Sequence, residues 1–436
     1  MDSRAARSLR CCLVSIGSHG DVAPFVALGQ ELQRRGHDVV VVVLQPYAGL
    51  VSAAGLRVAP VPMGTEALWP SHPVLRGLML AQAGATWLGM TLQLRRAAAT
   101  VVDTLLAAAA GADVLVSGVV TAGAAATIAG HHGLPSATAL LGSLLPGSSD
   151  ARAVLAPTGA PAVVARVVSS GLWQLTRAMG RSHTRDAARR LGRTVIPHAD
   201  TTLIATSPLL SPPDPGWPDE VGQVGWLAPS PPSGDLPAAL GRWLDKHPDA
   251  VFMGFGSVLT ADPRADLALF RRAARRAGRP LLVQTGLLPV GVGDERIFNV
   301  PPLDHRLLLG RVAAVVHHGG AGTTYTALLC GRPQVLVPHL GDQPYYARRV
   351  HHLGIGVSAG PRWRLTAAGL QRALVRALHP GVQNRAEALG AQLRGEGGTA
   401  RAADAIEALH RVSGAPGSVS APTTSARPAA PSTPGR

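Results

Sequence analysis

The sequence predicts an α/β protein of two doubly wound, parallel-sheet domains facing each other across a cleft. Three observations carry this: two series of short β-branched runs alternating with longer amphipathic segments, a Pro/Gly-rich stretch dividing the series, and glycine-containing turns where strands meet helices. A chain of 436 residues with 46% hydrophobic content has room for two such cores.

The first series opens with the strand "RCCLVSIG", a turn containing glycine, the helix "PFVALGQELQRRG", the strand "DVVVVVL", a short helix and "LRVAPV". Continuous runs of Val, Ile and Leu suit strands buried on both faces, as in a parallel sheet. The pattern resumes at "ADVLVSG", with the helix "VVTAGAAATIAGHHG" and the strand "LPSATAL", then becomes long, irregular and helical. Residues 1–206 form the expected N-terminal domain.

Residues 207–239, "SPLLSPPDPGWPDEVGQVGWLAPSPPSGDLPAA", are too rich in Pro and Gly for a core helix or central strand and read as the linker. The second series occupies 240–411: "AVFMGFGS", "PRADLALFRRAARRAG", "RPLLVQTG", "RIFNVPPL", "VAAVVHHGG", a helix from Thr323, "PQVLVPHLG" and "QPYYARRVHHLG". Residues 412–436, mostly Pro, Ser, Ala and Gly, bury too little apolar area to order themselves and read as a disordered tail.

The net charge of +15 comes from scattered, almost exclusively arginine cations, which speaks against a nucleic-acid footprint and admits peripheral contact with an anionic membrane. Three cysteines give neither a disulfide framework nor zinc spacing, and a reducing cytoplasm fits. No apolar run reaches the roughly 18 residues of a membrane span.

Chemistry concentrates where strands end. In "HHGGAGTT", consecutive small residues expose backbone N–H groups at the positive end of the next helix, a setting for phosphate oxygens. His317 adds a donor, and Thr323 and Thr324 can cap the helix or bond a second phosphate, which suits a diphosphate. The stretch also fits a tight turn with packed histidines. It is neither a P-loop nor a dinucleotide fingerprint, and "SIGSHGDVAP" lacks the third glycine and acidic ribose partner of an NAD site. In "PHLGDQP", Asp342 beside Gln343 suits vicinal hydroxyls, since one accepts and the other both donates and accepts; a helix cap is the competing role.

The segment "DHRLLLGRVAAVVHHGGAGTTYTALLCGRPQVLVPHLGDQPYYARRVHHLGIG" resembles the donor-binding signature of family 1 nucleotide-sugar glycosyltransferases of the two-domain GT-B fold, particularly macrolide and antibiotic types, rhamnosyltransferases and sterol glucosyltransferases. The likeness runs in outline from Leu9 to Arg411 and thins between Pro60 and Thr201. It implies that His317 contacts the diphosphate and that amides around Gly319, Gly320, Gly322, Thr323 and Thr324 hold it. It further implies Asp342 and Gln343 on sugar hydroxyls, Ser257 as a phosphate contact from the facing loop, and His305 in "LDH" near the nucleoside.

Sugar transfer needs a base for the acceptor hydroxyl, and "GSHGDVAPF" offers His19 and Asp21 in the loop after the first strand, though Asp21 also suits a cap for a helix starting at Pro24. Relatives resembling plant and macrolide enzymes use a His matching His19, oriented by an Asp where this chain has Gly118. Relatives with "GDVxP" rely on an Asp matching Asp21, which therefore ranks first. No DxD pair adjoins a strand in the donor half, so the resemblance implies inverting transfer without a metal or cofactor, from a UDP- or dTDP-sugar to a hydroxylated hydrophobic acceptor. An epimerase of the same fold and a catalytically silent binding partner stay open. The apolar segment from Pro70 to Gly111 has helical spacing and serves either core packing or an acceptor wall.

Overall fold

The computed structural model describes residues 8–64, 83–142, 145–146, 161–194, 198–232, 234–255, 263–284, 295–300, 303–339 and 341–413. Ser257 and the tail from 414 onward lie outside these residues.

The N-terminal sheet has seven parallel strands: β1 (Arg10–Ser15), β2 (Asp38–Leu44), β3 (Arg57–Val61), β4 (Val114–Gly118), β5 (Ser136–Leu140), β6 (Thr201–Ile204) and β7 (Val221–Gln223), in the order β3-β2-β1-β4-β5-β6-β7. The valine runs are explained by burial on both faces. Phe25, Leu28 and Leu32 of α1 (His19–Arg34) cover one face, and the other lies under Leu94, Val101 and Leu105 of the helix Ala83–Ala109 and Ala124, Ala125 and Ile128 of the helix Ala122–His132. Core packing is thus what the apolar segment before Gly111 does over much of its described length.

The C-terminal sheet contains β8 (Val251–Gly254), β9 (Leu281–Gln284), β10 (Ile297–Asn299), β11 (Ala314–His317), β12 (Gln334–Leu336) and β13 (Gly356–Ser358), all parallel, in the order β10-β9-β8-β11-β12-β13. Both strand orders reverse direction at one point, between β1 and β4 and between β8 and β11. The loops leaving the carboxyl ends of strands diverge there, and open α/β sheets bind ligands in such crevices.

Two expectations about domain limits need correcting. The stretch 207–239 is not all linker: Val221–Gln223 adds the seventh strand, Trp226 stacks on Tyr325 with centroids 4.1 Å apart, and the Ser207 N–H donates to the Tyr325 hydroxyl at 3.0 Å. The last helix, Gly398–Ser413, leaves the C-terminal half and packs Ala402, Ala403 and Ile406 into the N-terminal core. Arg35 holds it there through Asp404 at 2.6 Å and Glu407 at 3.2 Å, while His37 meets Glu407 at 3.0 Å. Val412 and Ser413, assigned to the tail by composition, are its final residues. No described helix is long and apolar enough to cross a membrane.

Candidate active site

The turn after β1 places His19 and Asp21 at the reversal point of the N-terminal sheet. Helix α1 starts at His19 rather than Pro24, which makes Asp21 the third helical residue of a capping box headed by Ser18. One carboxylate oxygen, Oδ2, accepts from the Ser18 N–H at 2.7 Å and the Ser18 hydroxyl at 2.9 Å. The other takes no hydrogen bond among the described residues. Asp21 is open to solvent in the cleft, yet protein from both halves crowds it, and the loss of surrounding water raises its carboxyl above the usual carboxylate range against the pull of Ser18. Capping and availability are therefore both present, one on each oxygen.

His19 is held below its ordinary pKa by burial, with Asp304 of the opposite half acting the other way. Its ring lies edge-on to Tyr47, centroids 6.5 Å apart. Position 118 supplies no carboxylate: Gly118 ends β4, and neighbouring Ser117 bonds Thr121 at 2.8 Å.

The facing wall is the turn from β11 into α10 (Ala321–Leu329), at the reversal point of the C-terminal sheet. The expected role of His317 does not fit its position. It is the last strand residue, fully buried, with Nδ1 accepting from the Gly319 N–H at 3.1 Å and Nε2 thereby donating to Gln334 Oε1 at 2.9 Å. Gln334 passes a 3.2 Å hydrogen bond to the Thr324 carbonyl. Both nitrogens are committed, and burial holds the ring neutral with a pKa of about 4. His317 builds the loop and has nothing left for a phosphate.

His318 has. It is one residue past the strand, its Nδ1 is buried without a hydrogen-bond partner among the described residues, and burial, with His317 and His339 adding to it, lowers its pKa to about 3. Of the pair, His317 has both nitrogens committed to the loop, and His318 Nδ1 has no partner among the described residues. The signal that separates them is strand register, because the residue just beyond the carboxyl end meets the crevice.

The glycines have distinct duties. Gly319 adopts φ +93°, a left-handed conformation, with Leu336 and the Gln343 carbonyl close behind it; any Cβ at Gly320 would overlap the His318 ring. Gly320 is the N-cap of α10 and offers no side chain, so the first-turn N–H groups have no side-chain cap. Thr323 is half-buried in that turn. Thr324, in contrast, is buried and donates its hydroxyl to the Gly320 carbonyl at 2.9 Å, a bond within the helix itself. Gly322 is where the halves approach: a Cβ there would stand 4.0 Å from Gly20 Cα of α1.

Beyond β12, Asp342 heads α11 (Gln343–His352) without capping it through its side chain. Burial pushes its carboxyl up to about 6, and the charge of Asp21 across the cleft adds to this. Gln343 is buried, and its Oε1 accepts from the His339 N–H at 2.7 Å, which ties the side chain to the loop. His305 opens α9 (His305–Leu309) after Asp304 has capped it, and its Nε2 hydrogen-bonds Gln284 Oε1 at 2.7 Å at the end of β9. His19 lowers the tendency of His305 to protonate across the cleft, which places "LDH" opposite the first loop.

The site thus joins an aspartate with one open oxygen on one wall to an uncapped helix N-terminus, a histidine whose Nδ1 has no hydrogen-bond partner among the described residues and a carboxyl raised by burial on the other. Among known proteins, residues 284–402 match the family model described as the C-terminal domain of erythromycin biosynthesis protein CIII-like proteins, and residues 11–131 match the glycosyltransferase family 28 N-terminal domain. The chain is 30% identical over 430 residues to the vancomycin aglycone glucosyltransferase of Amycolatopsis orientalis, covering 92% of this chain and 98% of that one. To the O-mycaminosyltylonolide 6-deoxyallosyltransferase of Streptomyces fradiae it is 28% identical over 427 residues, covering 92% and 97%. The crystal structure of the glycosyltransferase SnogD from Streptomyces nogalater superposes with a TM-score of 0.64 at 22% identity, over 92% of this chain and all of that one, a likeness of fold.

Proposed function

From the premise that this chain belongs to the family 1 glycosyltransferases of GT-B fold and antibiotic type, we propose that it moves a hexose from a nucleoside diphosphate sugar to a hydroxyl of a hydrophobic small molecule, with inversion at the anomeric carbon. The observation that carries this is the meeting of two chemistries at the point where the halves touch: the open Asp21 oxygen on α1, and the uncapped N-terminus of α10 with His318 beside it.

In this reading the diphosphate lies against the first-turn amides of α10 and His318, and Asp342 takes sugar hydroxyls. Asp21 Oδ1 accepts the proton of the acceptor hydroxyl as its oxygen bonds to C1 of the hexose. The C1–O bond to the diphosphate breaks with its electron pair, leaving a glycoside, a nucleoside diphosphate and a protonated Asp21 that returns its proton to water. Helix amides and a protonating His318 meet the charge on the departing diphosphate, so the step calls on no cation or cofactor. His19 is the alternative base. The facing-loop role of Ser257 and the nucleoside-side role of His305 stay within the proposal.

The relatives' names, a vancomycin aglycone glucosyltransferase and an O-mycaminosyltylonolide 6-deoxyallosyltransferase, support a hydroxylated aglycone as acceptor. Leu92, Val163 and Val167, exposed in the N-terminal half, give that half the apolar surface such a molecule favours. A cytoplasmic setting, with membrane contact at most peripheral, is supported by cysteines present as free thiols. The test is nucleoside diphosphate release from UDP- and TDP-hexoses with and without an aglycone panel. Acceptor-dependent release is expected. Sugar isomerisation without an acceptor would indicate an epimerase, and tight binding without turnover a silent partner; either result rejects the proposal.

A further inference from the structure

Three residues beyond the end of β12, His339 stands apart from every residue assigned above. Its Nδ1 lies 2.8 Å from the Val337 carbonyl oxygen, which can only accept, so Nδ1 carries the ring proton. Burial holds the ring below its ordinary pKa, and it is neutral near pH 7. Its other nitrogen, Nε2, is therefore a bare lone pair, and it is buried with no hydrogen-bond partner among the described residues. The ring is not loose: the His339 N–H donates to Gln343 Oε1 at 2.7 Å, and its edge meets Phe255 with centroids 4.8 Å apart and planes at 70°.

A buried acceptor without a donor is unfavourable until something supplies an N–H or O–H. Phosphate oxygens cannot, because they are acceptors themselves. The imide N–H of a pyrimidine base could, but His305, on the nucleoside side, follows β10 at the far edge of the order β10-β9-β8-β11-β12. His339 instead shares one strand end with Asp342.

We propose that His339 Nε2 accepts a hydrogen bond from one hydroxyl of the donor hexose, making it a specificity-determining residue that favours a hydroxylated hexose over its deoxy analogue at that carbon. This rests on the donor site proposed above. A donor lacking the hydroxyl would leave Nε2 unpaired, and the structure implies about tenfold rejection of that analogue.

The experiment uses the full chain with UDP- and TDP-glucose, the four analogues deoxygenated at C2, C3, C4 or C6, and the free nucleoside diphosphates. Dissociation constants are measured by calorimetry for wild type, His339→Asn and His339→Gln, each first checked for a wild-type-like melting temperature. Asparagine can still donate to the Val337 carbonyl but cannot reach the Nε2 position; glutamine puts an oxygen acceptor there. Wild type is expected to reject one deoxy donor about tenfold, the Asn variant to lose that rejection with unchanged affinity for free UDP and TDP, and the Gln variant to regain part of it. Rejection that persists in His339→Asn overturns the proposal and assigns Nε2 to a buried water. An equal loss of affinity for the free nucleotides overturns it as well, by showing that His339 only shapes the diphosphate loop. Should wild type bind no nucleoside diphosphate at all, the donor-site reading itself fails, a result distinct from both.

Discussion

Replacing Asp21 by Asn separates its two duties. The capping oxygen accepts from the Ser18 N–H at 2.7 Å and the Ser18 hydroxyl at 2.9 Å, and the amide oxygen of Asn can accept both. The amide NH2 then occupies the place of the open oxygen, where it can donate but cannot take a proton. Loss of negative charge in the first turn of α1 removes about 0.3–1 kcal/mol of helix-dipole interaction, a shift of a few degrees in melting temperature for domains of this size. Loss of general-base catalysis lowers kcat by about 10²–10⁴, which is roughly 3–5 kcal/mol of transition-state stabilisation. The catalytic effect therefore exceeds the structural one several-fold. Donor binding stays near wild type, because Asp21 lies on the wall opposite the diphosphate.

The assay is steady-state nucleoside diphosphate release at saturating donor and acceptor, alongside thermal denaturation. A kcat within threefold of wild type refutes the assignment, and if His19→Ala abolishes transfer while Asp21→Asn is nearly silent, the histidine is the base. A melting temperature lowered by ten degrees or more would mean that the carboxylate, not its geometry, holds the helix start.

His318→Ala should weaken nucleoside diphosphate binding and slow transfer together at a nearly unchanged melting temperature, whereas His317→Ala should lose about 2–4 kcal/mol of stability by removing two buried hydrogen bonds; calorimetry on both variants checks this, and the reverse pattern would restore His317 to the phosphate. Stability should also decline in acid, because His183 and His317 are held neutral by burial with pKa values of about 4, and His318 at about 3, against an ordinary 6.5. The unfolded chain then binds more protons, so stability is intact above pH 6.5, falls between about 6.5 and 4 by about 3 kcal/mol for each of His183 and His317, and is only partly offset by Asp342, whose raised value of about 6 acts in the opposite sense. A melting temperature that is flat from pH 7.5 to 4.5 would refute those burials.

The sequence disclosed what burial dictates. Val39, Val41 to Leu44 and Ala314 to Val316 are buried on both sheet faces, so their apolar runs announce parallel strands. The strands Val221–Gln223 and Gly356–Ser358 are three residues long, and one sits among prolines, so neither stands out from its surroundings. The crossing of the last helix onto the N-terminal core is a tertiary decision: the pairing of Arg35 with Asp404 and Glu407 spans most of the chain, and no local pattern marks it. At the site, the glycine turn and the Asp21 loop were legible from composition and spacing. What stayed hidden was which of two adjacent histidines the loop itself consumes. Adjacent histidines look alike in a motif, and only the last strand hydrogen bond tells that His317 points into the core and His318 past its end. The hydrogen bonds that Thr324 and Gln343 make to the loop's own backbone were equally hidden, a demand visible only once the chain has turned.

The central claim is that Asp21 and the N-terminus of α10 face each other across one sugar, so that the acceptor oxygen enters opposite the leaving diphosphate. The anomeric configuration of the product tests it most directly, read by proton NMR from the coupling of the anomeric hydrogen after reaction with an α-linked UDP- or TDP-glucose. A β-linked glycoside is expected. An α-linked product would contradict the account, because retention requires either a covalent intermediate or attack from the side on which the diphosphate departs.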